Sequence, residues 1–320
     1  MPSADFLHKD AETKLCEHYI AAGVHCRLLT NSEHVLEAAR ETFLIAPGPA
    51  SAIDFSMRFW VDDTRQSRRP WPKPYVRGLD HLVYAGFDEN SSVLADLSTR
   101  RLIGRFSPEL AADSGYWRTI IFPMLLSVLA GSVGIVELHG ACLARAQKGL
   151  ILAGSSRSGK STLALALTAA SFCFLSDDRT FCSMAQGKLM AWGLPRPLKL
   201  RREAASWFDD LRHREPTAVQ NGERVFHFEP HSNRVSNCEP RLLVFLERRD
   251  GCSFQITPIK RKEARLHIEQ DLLAESRGAI RMQSKPFAEL LSLPCYVLRY
   301  GGSPQQVAEQ LAAEFSKRVE

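Results

Sequence analysis

Residues 150–167 read LILAGSSRSGKSTLALAL, and few chain arrangements can house such a stretch. Leu150–Ala153 is a short apolar run, the length of a buried strand. Gly154, four variable residues, Gly159, Lys160 and Ser161 then follow the phosphate-loop spacing G-x-x-x-x-G-K-[ST]. Glycines let the backbone curl so that successive N–H groups point at phosphate oxygens. Lys160 offers a mobile point charge for terminal phosphates, and the Ser161 hydroxyl offers an oxygen to Mg²⁺. Ser155, Ser156, Arg157 and Ser158 fill the loop, and Thr162 follows it. KSTLALALTAA is rich in helix formers and predicts a helix over about 160–170, its positive end aimed at the anion. Strand, loop and helix in that order predict an α/β sheet with its ligand at the end of a strand.

The rest of the chain bounds what surrounds this unit. Its 320 residues suffice for two domains, and 45% hydrophobic with 24% charged residues describe a soluble globular chain. A net charge of +5 suits a phosphate ligand or an acidic partner and makes no case for nucleic acid. Eight cysteines are scattered without a C-x-x-C pair, which points away from zinc or a disulfide framework and towards a reducing, cytoplasmic compartment. MPSADFLHKDAETK lacks a signal-peptide layout. TIIFPMLLSVLAGSVGIV, residues 119–136, is uncharged and has the length of a membrane span. Pro123, Gly131 and Gly134 interrupt it, so the reading is a core helix followed by a buried strand, with no membrane span.

Two domains are expected: an N-terminal α+β domain over 1–114 and the phosphate-loop domain over 115–320. In the first, GVHCRLLT is strand-like and SEHVLEAARETF helical with Ser32 as N-cap. RQSRRPWPKP, residues 65–74, is a basic, proline-broken connection. LDHLVYAGF, SSVLADLS and RRLIGRFS follow as a meander of short strands. In the second, GYWRTIIFPMLLSVLAG is a helix, and ELHGACLARAQKGLILAG is two strands about a Gln147-Lys148-Gly149 turn. Further strands are expected at 188–192, 223–228, 241–247, 252–259 and 295–300, then a helix over Pro304–Arg318.

SFCFLSDD ends a strand with Asp177 and Asp178. Beside a phosphate loop, one carboxylate suits Mg²⁺ and the other can accept a proton from an attacking hydroxyl. Neighbours on a strand face opposite ways, so both reach the phosphate only if the strand ends by then. Arg179, Arg201 and Arg202 are candidate guanidinium groups for a transferring phosphate. His227 and His231 lack an evident third metal ligand. The basic segment 256–265 and the segment 276–286 read as a solvated face and a surface connection.

LHGACLARAQKGLILAGSSRSGKSTLALAL with FLSDDRT resembles the catalytic domain of HPr kinase/phosphorylase and its relatives. Lys160 lies 21 residues after His139 (160 − 139) and Asp178 lies 18 after Lys160 (178 − 160), intervals similar to the family's. ATP-dependent phosphoenolpyruvate carboxykinase has a similar core. The resemblance implies a P-loop kinase core of that type, using ATP and Mg²⁺ to phosphorylate a serine hydroxyl of a protein or peptide. It implies Asp178 as general base, Lys160 and His139 at the γ-phosphate, and Ser161 and Asp177 at the metal. It also implies a homo-oligomer. The chain departs from the family pattern at Arg157, usually glycine, and at Lys199 in PLKLRRE, where the family has a metal-binding glutamate that Glu203 could replace. The phosphorylase segment and the usual N-terminal domain are not recognisable. Two other readings stay open: a small-molecule hydroxyl kinase, and a non-catalytic nucleotide-binding switch.

Overall fold

The computed structural model describes residues 12–48, 52–220, 223–228, 234–271 and 284–319. The chain divides into two compact units, Met1–Val133 and Gly134–Glu320.

The first unit is one mixed sheet with helices on one face. Its strands are β1 Leu15–Ala21, β2 Val24–Thr30, β3 Leu44–Ile45, β4 Phe55–Val61, β5 Tyr75–Leu79, β6 Leu82–Gly86, β7 Ser92–Asp96 and β8 Arg101–Phe106, ordered β3-β1-β2-β4-β8-β7-β6-β5. The meander β5 to β8 is antiparallel throughout. Alternation is strict: Phe55, Met57 and Phe59 of β4 and Val93 and Ala95 of β7 are buried, whereas their neighbours face outward. The helix Glu33–Thr42 buries Val35, Leu36, Ala38 and Ala39; Ser32 precedes it, but its side chain makes no capping hydrogen bond.

The helical run Ser114–Val133 belongs to this unit, which moves the boundary one helix later than expected. The reason is aromatic packing. Trp117 is fully buried, its ring 4.5 Å from Phe106, 4.9 Å from Phe122 and 5.8 Å from Phe59. Pro123 lacks the N–H that would bind the carbonyl four residues back, and the run widens into a π-turn over Trp117–Ile121. The run is long and apolar enough to cross a membrane, but Ile121, Phe122, Leu125, Leu126 and Leu129 are spent on the core.

The second unit holds β9 Val136–Leu138, β10 Gly140–Arg145, β11 Lys148–Ala153, β12 Cys173–Ser176, β13 Thr180–Ala185, β14 Lys188–Trp192, β15 Leu198–Arg201, β16 Ala218–Gln220, β17 Glu223–Phe228, β18 Asn237–Arg248, β19 Gln255–Pro258 and β20 Cys295–Tyr300. Nine form one sheet, with β12-β10-β11-β18-β14-β13-β9 as its path and β20 and β19 branching from β18; β15-β17-β16 form a small separate sheet. The segment expected as two strands is therefore three, and its turn sits at Ala146 and Gln147, both left-handed (φ 48° and 63°), rather than at 147–149. The 12-residue β18 joins the sheet's halves: its start pairs with β14, its middle runs parallel to β11, and its end runs parallel to β20.

Both faces of this sheet are covered. One side chain set, including Leu150, Leu152, Leu242 and Val244, packs against the helices Lys160–Ala169 and Pro304–Val319. The alternate set, including Ile151, Ala153, Leu243 and Phe245, packs against Ala264 and Ile268 of the helix Arg261–Asp271 and Leu290 of the helix Ser284–Leu290. That is why β11 reads as an unbroken apolar run. Residues 276–283, within the expected connection, and His231 lie outside the described residues.

Candidate active site

The loop Gly154–Gly159 leaves the end of β11 and enters the helix Lys160–Ala169. Three of its residues have left-handed or positive-φ backbone: Gly154 (φ 140°), Arg157 (φ 69°) and Gly159 (φ 93°). The glycines are also sterically required. A Cβ on Gly154 would lie 2.9 Å from the Ser158 Oγ and 3.0 Å from the Leu246 carbonyl oxygen, and one on Gly159 would collide with the Tyr300 hydroxyl. That hydroxyl, at the end of β20, donates to the Ser158 carbonyl at 2.7 Å and so props the loop from beneath. Ser155, Ser156 and Arg157 are exposed, whereas Ser158 is buried, its Oγ without a hydrogen-bond partner among the described residues. Lys160 is buried, and its ammonium donates back to the carbonyls of Gly154 (2.6 Å) and Ser155 (3.1 Å). Ser161 and Thr162 are half-buried on the first helical turn.

The acidic pair sits beyond the end of β12. That strand stops at Ser176, so the period-two rule no longer separates the two carboxylates. Ser176 is anchored to Thr180 (Oγ to Oγ1, 2.7 Å), and Thr180 donates to the Gly140 carbonyl at 2.9 Å, which fixes the ends of the turn between them. Asp177 turns towards the loop. Its Oδ2 accepts from the Lys199 amide at 3.0 Å, and its buried Oδ1 has no hydrogen-bond partner among the described residues. Burial raises its pKa to about 6, against the opposing pull of the nearby Ser161 hydroxyl, the Lys199 amide and the Lys160 ammonium; Asp178 adds a small push upward.

Asp178 turns to His139, whose Nε2 lies 3.1 Å from its Oδ1. Strand register explains this contact. Thr180 pairs with Leu138 across β13 and β9, which sets the preceding turn opposite His139. His139 itself occupies the break between β9 and β10, and a Cβ on Gly140 would lie 2.7 Å from the Leu152 carbonyl oxygen, so glycine is needed beside it. The His139 hydrogen bond draws the Asp178 pKa down to about 2, overcoming burial, with His139, Arg196 and Arg179 adding attraction. Asp178 is nonetheless 61% exposed and His139 40% exposed, so both are open to a ligand.

Of the arginines expected near the phosphate, Arg179 lies at this cluster, paired with Glu137 at 3.0 Å. Arg201 and Arg202 lie on β15 and the short helix after it. A further arginine at the pair is Arg196, which sequence reasoning missed. Burial lowers its pKa, Arg179 pushes the same way, and Asp178, Asp177 and Glu137 pull it back. Its flanking prolines, Pro195 and Pro197, were the available signal: they restrict the backbone on both sides of one charge. Its carbonyl is held by the Arg234 guanidinium at 2.7 Å. PLKLRRE does reach the site, but through the main-chain amide of Lys199; Glu203 is exposed on its helix. His227 contacts Thr217 (Nδ1 to Oγ1, 3.2 Å), and burial, then Lys199 and Arg196, lower its pKa. Among the described residues no three His, Cys, Asp or Glu side chains form a metal cluster. Mg²⁺ does not require one, since it keeps waters and substrate phosphates as ligands.

No protein-family model matches this chain, and no curated protein matches it. Among solved structures, the Hpr(Ser) kinase/phosphatase from Coxiella burnetii overlaps 57% of this chain and 92% of its own, at 11% identity and a TM-score of 0.30. That likeness is distant, and a score so low leaves both fold and chemistry to rest on the geometry above.

Proposed function

We propose that the chain is an ATP- and Mg²⁺-dependent kinase that phosphorylates a serine hydroxyl of a protein or peptide. One observation carries the reading: the carboxylates of two consecutive residues diverge, Asp177 to the Ser161–Lys160 end of the loop and Asp178 to His139. Metal support and proton acceptance need two acids a few ångströms apart in different surroundings, and burial and partners push these two pKa values apart. The Ser161 hydroxyl and the Oδ1 of Asp177, without a hydrogen-bond partner among the described residues, suit Mg²⁺, which when bound would neutralise charge on the phosphates.

The residues then divide the work. The loop amides and Lys160 bind and orient the phosphates, Lys160 exchanging two carbonyls for phosphate oxygens. Asp178 orients the acceptor hydroxyl and takes its proton. A carboxylate held near pKa 2 is a weak base, which suits a loose phosphoryl-transfer transition state where the proton leaves late. His139 fixes the carboxylate, while Arg179 and Arg196 offer positive charge beside the departing γ-phosphoryl group.

The test is transfer from γ-labelled ATP with Mg²⁺ to proteins and peptides of the protein's own source, wild type beside Asp178→Asn. Label on one acceptor, reduced about 10²- to 10⁴-fold by the substitution with nucleotide binding retained, is the expected result. Nucleotide binding with no transfer by either protein would replace the kinase by a nucleotide-binding switch. Label on a small molecule alone would replace the protein acceptor.

A further inference from the structure

The outer face of the first unit's sheet bears a row of side chains set by strand register. Arg77 of β5 pairs with Tyr84, Tyr84 with Leu94, Leu94 with Ile103, and Ile103 with Arg58. The row is thus three apolar residues with an arginine at each end. Leu94 and Ile103 are 45% and 49% exposed, on strands whose inward residues are fully buried. The apolar surface continues to the sheet's margin, where β5 pairs only with β6 among the described residues and Leu79 is 79% exposed. Tyr75 covers Gly86 and lies 5.9 Å from Tyr84, centroid to centroid, which extends the surface along β5.

Charge selects what could cover this surface. Residues of the same parity add Arg27, Arg101 and Arg105, and the opposing Asp96 is turned into hydrogen bonds with Ser98 (2.6 Å) and Thr99 (2.8 Å). The connection entering β5, RQSRRPWPKP, holds three arginines and a lysine and no acid; Arg69 is paired with Asp113 at 2.5 Å, which leaves Arg65, Arg68 and Lys73 as its exposed charges. A second copy of this face would oppose arginine to arginine. A nucleic acid would meet the charge and find rings at Trp60, Tyr75 and Tyr84, but Leu79, Leu94 and Ile103 make the exposed remainder of the surface aliphatic, which a peptide's apolar side chains cover better than bases do. An edge strand with free main-chain groups and alternating outward pockets is the template for adding a peptide strand.

We propose that β5 and the adjoining face bind an extended acidic peptide segment with apolar side chains at alternate positions, added to the sheet beside β5. The acidic residues meet Arg77 and the basic connection, and the apolar ones cover Leu79, Tyr84 and Leu94. This docking needs neither nucleotide nor metal, so it stands or falls apart from the kinase reading.

The experiment is selection of random 12-residue displayed peptides on the immobilised full chain, without nucleotide or Mg²⁺. Winners are then measured by fluorescence anisotropy. The expected winners alternate acidic and apolar residues. Their affinity falls at least tenfold in Arg77→Glu and in Leu94→Ser, with melting temperature unchanged, and they slow amide exchange at residues 75–79. Failure to enrich acidic peptides, affinity indifferent to both substitutions, or protection confined to other segments would each overturn the proposal. Tighter binding of a labelled oligothymidylate than of any peptide would reassign the face to nucleic acid.

Discussion

Strands β7 and β11 are both short and largely apolar, yet SVLAD buries only Val93 and Ala95 while Leu94 faces solvent, and KGLILA buries every residue from Gly149 to Ala153. The difference is the number of layers. Among the described residues the first unit lays helices on one side of its sheet and none on the other; the second packs helices against both sides of β11 and β18. A one-sided sheet can lend its free face to a partner. A two-sided sheet can lend only its ends, and there the phosphate-type loop and the acidic turn sit, beyond β11 and β12.

Charge insertion tests this contrast most severely. Ile151→Asp should cost more than about 4 kcal/mol, because a carboxylate in a covered core has no partner, whereas Leu94→Asp should change stability by about 0.5 kcal/mol or less. Urea denaturation of the two variants reads the difference; equal losses would mean β7 is as enclosed as β11. The next effect lies at the strand's end. Gly159→Ala combines a left-handed backbone (φ 93°) with a clash at the Tyr300 hydroxyl and should cost about 2–4 kcal/mol. Gly134→Ala, also at positive φ (74°) but with no atom within 4 Å of the added Cβ, isolates the backbone share at about 1–2 kcal/mol.

A smaller effect is set by pH. Asp177 has its pKa raised to about 6, so its own contribution to folding is complete below the unfolded carboxylate pKa and is lost as pH rises through about 6. Metal binding has the opposite sign, because the carboxylate must first release its proton. Mg²⁺-dependent nucleotide affinity should therefore fall about tenfold per unit below pH 6 and level off above it. Calorimetric titration from pH 5 to 8 checks the slope, and Asp177→Asn should flatten it. The smallest effect belongs to Arg157. Arg157→Gly relieves a left-handed arginine (φ 69°) and should change stability by about 0.5 kcal/mol or less, the relief being offset by glycine's freer unfolded chain and by loss of the arginine's own interactions. A paired thermal melt suffices.

How much was legible follows from how local each signal is. The loop and its helix are set by contiguous residues, and the meander β6 to β8 by the turn residues between strands, so both could be read directly. β4 carries a period-two signal in Phe55, Met57 and Phe59, which a reading guided by turn residues passes over. The helix Ser114–Val133 was readable as a helix but not by its allegiance, because Phe59, which packs on its Trp117, lies far away in sequence. The acidic pair was visible; its division of labour was not, since it depends on β12 stopping at Ser176 and on register between β9 and β13. The Lys199 amide has no side-chain signature at all, and the prolines flanking Arg196 mark a restricted charge without saying that folding brings it to Asp178.

The prop beneath the loop has a consequence in time. Tyr300 reaches Ser158 across 142 residues of chain, so a ribosome that has released the whole glycine-rich loop and its helix has not yet released what holds them in form. Until β20 emerges and aligns beside β18, the loop lacks the hydroxyl against which Gly159 closes. On the kinase reading, competence to bind phosphate would then arrive late in translation, and a nascent chain stalled short of Tyr300 would carry the motif without its prop.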